Sequence, residues 1–354
     1  MNRLFVLFVL MFTLFGLVPV AAATYPDPKE GSFVLKNFRF HTGEVLPEVK
    51  INYLTIGDPK NEAVLILHGT AGSGQAMLRP SFAEELFGPG QPLDAAKYFI
   101  ILPDAIGTGK SARPSDGLRA KFPLYNYDDM VLGQYRLLTE GLKINHLRLI
   151  VGNSMGGMQT WIWGVTYPAF MDGLVPMASQ PTAMASRNWM MRRMITDAIR
   201  NDPAWKNGDY TEQPQHFRLV NVYYGIATNG GSQFYQAQSP TREKADQLLA
   251  QRLANKTTMD ANDFLYQWDS SRDYDPEPRL GSIKAHVLAI NSADDERNPP
   301  ETGITENAIR KIPNASLYLI PGSPTTAGHG TVMDAKLWKI KLVEFMNGLP
   351  RSRR

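Results

Sequence analysis

The chain has 354 residues, of which 43% are apolar and 20% charged, with a formal net charge of +3. This is ordinary globular composition at a length that can bury a full core, and much of the positive excess lies in Arg351-Ser352-Arg353-Arg354, so no basic face forms and nucleic acid is not an expected partner. Cysteine is absent, which excludes a thiol nucleophile, disulfides and thiolate metal sites.

Met1-Asn2-Arg3 gives a positive start, Leu4 to Val18 is almost wholly apolar, and Ala21-Ala22-Ala23 supplies the small residues of a processing site. Residues 1–23 therefore read as a secretory signal peptide cleaved after Ala23, with an uncleaved anchor as the alternative. The mature chain is expected in the periplasm or outside the cell, with no stable membrane insertion.

Residues 24–31, with Pro26, Pro28 and Gly31, read as a mobile leader. Phe33–Phe40 and Glu48–Ile56 flank the turn His41-Thr42-Gly43 and predict an antiparallel hairpin at a sheet edge. Ala63–Leu67 and Tyr98–Leu102 are continuous apolar runs, as inner strands covered on both faces require. The first ends in His68-Gly69-Thr70 and the second in Pro103-Asp104. Gly107-Thr108-Gly109-Lys110-Ser111 looks like the end of a phosphate-binding loop, but Asp104 stands where its first glycine belongs and no helix-like run follows.

An amphipathic helix is expected over 126–142, then a strand at Leu147–Val151 and a helix from Met155 to Tyr167 that ends at Pro168. Between strand and helix lies Gly152-Asn153-Ser154-Met155-Gly156, a G-x-S-x-G match in strand–turn–helix context. A serine hydroxyl is a poor nucleophile, so such a turn must present Ser154 to a base and aim the Met155 N–H at a developing oxyanion. The alternative is a glycine-rich turn that merely contains a serine.

Gly173–Ala178 is another apolar strand. The alternation then stops for about a hundred residues and resumes at His286–Asn291 and Ser316–Ile320, before a last helix over about 331–346. Alternating strands and helices define an α/β fold with a mostly parallel, doubly wound sheet. Residues 24–179 and 283–354 form its core, and residues 180–282 a helical cap. The cap is rich in large side chains, among them Trp189, Met191, Trp205, Tyr224 and Trp268, which either line an apolar substrate pocket or glue cap helices together.

The base follows by elimination among six histidines. His41 lies in a hairpin turn, His146 and His286 precede strands, His216 is in the cap, and His68 belongs to a turn that its ring would brace. His329, after the final strand, is where a loop over the sheet can deliver a general base to Ser154. The orienting acid comes from Asp294-Asp295-Glu296. Asp295, four residues before Pro299, is the choice, Asp294 the alternative, and Glu296 is expected in solvent near Arg297. The order Ser154, Asp295, His329 is that of α/β-hydrolases, and the Thr70 N–H is expected to join that of Met155 as oxyanion donor. The sequence holds no dense set of metal ligands, and the chemistry requires neither metal nor cofactor.

Gly152-Asn153-Ser154-Met155-Gly156-Gly157-Met158-Gln159 and Ala198-Ile199-Arg200-Asn201-Asp202-Pro203-Ala204-Trp205 with Gly208-Asp209-Tyr210 resemble the nucleophile segment and cap signature of the homoserine O-acetyltransferase-like branch of the α/β-hydrolase superfamily. The resemblance spans about residues 33–348 and implies an α/β-hydrolase fold, an acyl-enzyme on Ser154 and a homodimer. By resemblance, transferases of this branch carry an aspartate after the histidine that helps hold the substrate amine; here Gly330 stands there. The expectation is thus an exported serine esterase acting on a small carboxylic ester. Acyl transfer to an amino-acid alcohol and a non-catalytic binding protein are the alternatives.

Overall fold

The computed structural model describes residues 25–255 and 259–350. The expected signal peptide lies outside the described residues.

Among the described residues eight strands form one sheet in the order β1-β2-β4-β3-β5-β6-β7-β8. The edge hairpin is β1 (Lys29–Arg39) and β2 (Val45–Ile56), and β2 pairs antiparallel with β4 (Tyr98–Pro103). From there all pairings are parallel, through β3 (Glu62–Leu67), β5 (Leu147–Asn153), β6 (Met171–Met177), β7 (His286–Ser292) and β8 (Ala315–Ile320). The inner strands are buried along almost their whole length, which explains their unbroken apolar runs.

Helices cover both faces. On one side α2 (Tyr127–Arg136) and α3 (Met155–Thr166) bury Met130, Val131, Met158 and Ile162 against the sheet. On the other, α1 (Pro80–Leu86) and α10 (Lys339–Gly348) bury Phe82, Leu86 and Leu342, with Trp338 between them. Asn126 starts α2 with a capping box, its side chain accepting the Asp129 N–H while the Asp129 carboxylate accepts the Asn126 N–H.

Between β6 and β7 the described residues form five α-helices, α4 (Ser186–Arg200), α5 (His216–Thr228), α6 (Ser232–Gln238), α7 (Arg242–Ala254) and α8 (Ala261–Asp269). A short α9 (Ile304–Ile309) links β7 to β8. Buried α8 fastens this insertion to the core. Its Tyr266 hydroxyl donates to the Ala120 and Phe122 carbonyls, its Asp263 accepts from the Ser115 N–H and hydroxyl, and its Gln267 bonds the Ala71 N–H and the Gly107 carbonyl.

Three expected boundaries shift. The leader is shorter than 24–31, because β1 begins at Lys29 and pairs Lys29 with Thr55; the Tyr53 ring lies across Gly31, where any side chain would collide with it. The helix expected over 126–142 stops at Arg136 and continues as one π turn, residues 137–141, which amphipathic spacing does not reveal. The helix expected over 331–346 instead begins with two 3-10 turns, residues 328–333 and 335–337, and only then becomes α10. Asp334 caps the second turn through the Lys336 N–H, and Trp338 ties back to the Val332 carbonyl through its indole N–H.

Candidate active site

Ser154 stands between β5 and α3 with φ 54° and ψ −110°, a conformation that side chains adopt only under constraint. The constraint is local. The Ser154 N–H donates to the Met177 carbonyl on β6 at 2.9 Å, and the Ser154 carbonyl accepts the Met158 N–H. A Cβ at Gly152 would lie 2.1 Å from the Gly156 carbonyl oxygen, and one at Gly156 would lie 2.3 Å from that of Leu67. Both glycines of the G-x-S-x-G pattern are thus explained by close backbone approach.

His329 lies in the turn after β8, and its Nε2 is 2.7 Å from Ser154 Oγ. Its Nδ1 is 2.9 Å from Asp295 Oδ2. Both contacts are buried. Asp295 follows β7, and its carboxylate also accepts from the Arg297 N–H (2.9 Å) and the Asn298 amide (2.9 Å). Burial pushes the Asp295 carboxyl up, but the His329 ring together with these donors outweighs it and holds the group below the ordinary carboxylate value. For His329 burial comes first and the Arg297 charge second, and the two depress the imidazole below its ordinary value against the opposing pull of Asp295. The ring is therefore neutral at neutral pH, with Nδ1–H facing the carboxylate and a free Nε2 facing the hydroxyl.

Asp294, the alternative acid, does different work. Its carboxylate accepts from the Ser292 and Thr326 hydroxyls and the Gly328 N–H, bracing the loop that carries His329. Glu296 pairs with Arg187 and not with Arg297. Arg297 turns inward and is buried, which the sequence did not reveal because the local pattern Glu-Arg reads as an exposed ion pair. Among the histidines set aside, His68 braces its loop, with Nδ1–H donating to the Gly69 carbonyl (2.8 Å) and Nε2 accepting the Ala105 N–H (3.1 Å).

Thr70 lies beside Ser154 on the wall of one cavity of about 410 Å³ that His329 also lines. Among the described residues the amide N–H groups of Thr70 and Met155 meet no acceptor, as oxyanion donors require. The inserted helices supply the facing wall: Tyr224 of α5 and Trp268 of α8 meet edge to face at 4.9 Å, with Phe264 beside them. Most of the cap's other large side chains go elsewhere. Trp205 bonds Asn262, the Arg272 guanidinium lies over Trp189, and Met190, Met194 and Tyr223 are exposed. The loop that mimics a phosphate site is structural: the Asp104 carboxylate accepts the Lys110 and Gly74 N–H groups from within.

A serine, a neutral imidazole and a carboxylate in relay at the carboxyl ends of a mostly parallel sheet, under inserted helices, define an α/β-hydrolase enzyme. The chain belongs to the alpha/beta hydrolase fold family, whose profile matches residues 62–329. It is 26% identical over 325 residues to a probable acyltransferase of Methanothermobacter thermautotrophicus, covering 89% of this chain and 97% of that one. A homoserine O-acetyltransferase of Methanohalophilus mahii is 37% identical over 298 residues, and the match spans 73% of this chain but only 60% of the relative. Among solved structures, a homoserine O-acetyltransferase from Bacillus anthracis superposes with a TM-score of 0.79 at 24% identity, over 92% of this chain and 99% of that one. An acetylester hydrolase from Corynebacterium glutamicum gives 0.76 at 22%, over 90% and 96%.

Proposed function

We propose that this enzyme is an exported serine esterase that cleaves a small carboxylic ester through an acyl-enzyme on Ser154. The observation that carries the reading is the buried relay of Ser154 Oγ, His329 Nε2 at 2.7 Å and, behind the ring, Asp295 at 2.9 Å from Nδ1. His329 takes the hydroxyl proton as Ser154 Oγ bonds to the ester carbon, and the oxyanion turns to the Thr70 and Met155 N–H groups. The C–O bond to the alcohol then breaks, and the proton on His329 leaves with the alcohol. Water attacks the acyl-enzyme by the same relay, giving up one proton to His329, and the acid and free Ser154 are restored. Asp295 holds the ring in the required tautomer and opposes the imidazolium charge as it forms.

Water as acceptor is supported by Gly330, which offers no side chain to hold a substrate amine beside His329. The names of the curated relatives favour a second reading, acyl transfer to an alcohol, on the same acyl-enzyme. A graded series of p-nitrophenyl esters, assayed with wild type and Ser154→Ala, tests the first. Acetyl transfer from acetyl-CoA to homoserine outpacing ester hydrolysis would replace it with the second. A fluorophosphonate probe that fails to label Ser154 would remove both. Export rests on residues 1–23, and a secreted chain whose first residue is Thr24 is the expected outcome of N-terminal sequencing.

A further inference from the structure

The cavity above Ser154 has an unusual polar inventory. Burying a polar group without a partner is unfavourable, so such groups are few and each calls for a reason. Among the described residues, the buried side-chain atoms that lack one include Thr70 Oγ1, Asn153 Oδ1, the Tyr224 hydroxyl, Trp268 Nε1 and Arg297 Nε. All five belong to residues lining this one cavity, the atoms themselves lying beneath its surface. The Arg297 guanidinium lies 4.3 Å from the centre of the Tyr224 ring, and that ring packs in turn on Trp268.

Charge points the same way. Arg297 is 91% buried, and among the described residues its guanidinium has hydrogen-bond partners only at Nη2, the Thr228 hydroxyl at 3.0 Å and the Asn229 side-chain oxygen at 3.1 Å, both neutral. Among the described residues that line the cavity there is no carboxylate. Asp295 and Asp294 sit behind it, committed to His329 and to the loop that carries His329. A second buried guanidinium, Arg192, lies 5.0 Å from the Trp268 ring with neutral partners, Asn188 and Ser271. A buried arginine with neutral hydrogen-bond partners and, among the described residues, none at Nη1, lining a cavity that holds a nucleophile, suits an anion that arrives with the ligand.

We propose that the Arg297 guanidinium forms a carboxylate subsite, so that the preferred substrate is an ester bearing a free carboxylate. This deepens the esterase reading and rests on it for the word substrate. The carboxylate comes from one of two sources, the acyl part (a half-ester of a dicarboxylic acid) or the alcohol part (an acylated hydroxy acid), and Arg297 would recognise either.

Two measurements decide the matter. Calorimetry of the Ser154→Ala protein with glutarate and with its neutral isostere glutaramide reads the subsite without turnover. The expected result is binding of glutarate at least tenfold tighter than glutaramide, with that preference lost when Arg297→Gln is added. Equal or absent binding of the two overturns the proposal, and this contrast stands even if the Arg297→Gln protein does not fold. Wild-type kcat/KM for monoethyl adipate against ethyl adipamate, and for 3-acetoxypropanoate against 3-acetoxypropanamide, then identifies the source as the pair in which the anion is favoured at least tenfold. Glutarate binding as expected with no hydrolysis of any ester would refute the esterase and leave the anion subsite standing.

Discussion

Replacing Asp295 by its isosteric amide separates orientation from charge. In Asp295, Oδ1 accepts the Arg297 N–H while Oδ2 accepts both His329 Nδ1–H and the Asn298 amide. An asparagine that puts its NH2 at the Oδ2 position faces two donors, and one that puts it at Oδ1 faces a single donor. Each buried donor left facing a donor costs about 1–3 kcal/mol, so Asp295→Asn keeps its oxygen toward His329 and the ring keeps its tautomer. What is lost is the negative charge opposite the imidazolium. At about 4 Å and an effective dielectric constant of about 20 that charge contributes about 4 kcal/mol, or about 10³ in kcat. This is smaller than the roughly 10⁴-fold loss that follows when an amide enforces the wrong tautomer. Asp294→Asn, which touches only the loop, should stay within about tenfold of wild type. The assay is steady-state ester hydrolysis, with melting temperature as the check on folding. A loss below tenfold for Asp295→Asn, or equal losses at the two positions, would refute the assignment of the orienting acid.

The acid limb of kcat/KM should fall below pH 6.5, because burial and Arg297 depress the His329 value below its ordinary one. Removing the Arg297 charge should move that limb to higher pH and Asp295→Asn should move it lower, as pH–rate profiles would show. The same depression means that protonating His329 opposes folding, so His329 lowers stability only as pH falls through 6.5 and below, whereas the stabilisation from Asp295 persists above its unfolded value of about 3.9 and is lost as pH falls through its lower folded value. Gln267→Leu, which frees the Ala71 N–H next to Thr70 and the Gly107 carbonyl, should lower kcat about 10–100-fold through a loosened oxyanion loop; an unchanged kcat with a lowered melting temperature would restrict Gln267 to packing. Ser154→Gly should raise thermal stability by about 1–3 kcal/mol by releasing the backbone at φ 54°, read by calorimetric melting, and an unchanged or lower melting temperature would count against strain there.

The sheet was legible because its inner strands are buried on both faces and so appear as unbroken runs such as Ala63–Leu67 and Leu147–Val151. The turn at Ser154 was legible because its two glycines answer to backbone atoms close in sequence or in the adjacent strand. The choice of Asp295 over Asp294 rested on spacing from Pro299; the structure separates them by partners that no local pattern encodes, Thr326 and Gly328 for one and His329 for the other. Arg297, Tyr224 and Trp268 were beyond sequence reasoning for the same reason. Their meeting depends on how α5 and α8 dock over β7, and side chains of that chemistry elsewhere in the insertion, such as Arg252 with Tyr235, pair away from the cavity.

The histidine is delivered by the turn after β8, an edge strand that is only partly covered along its length, whereas the serine stands on the fully enclosed centre of the sheet. Margins fray before middles. Warming should therefore silence the enzyme several degrees before its spectroscopic signature of folding collapses, and recovery on brief cooling should be complete, since the part that parted company was only the border of an otherwise standing framework.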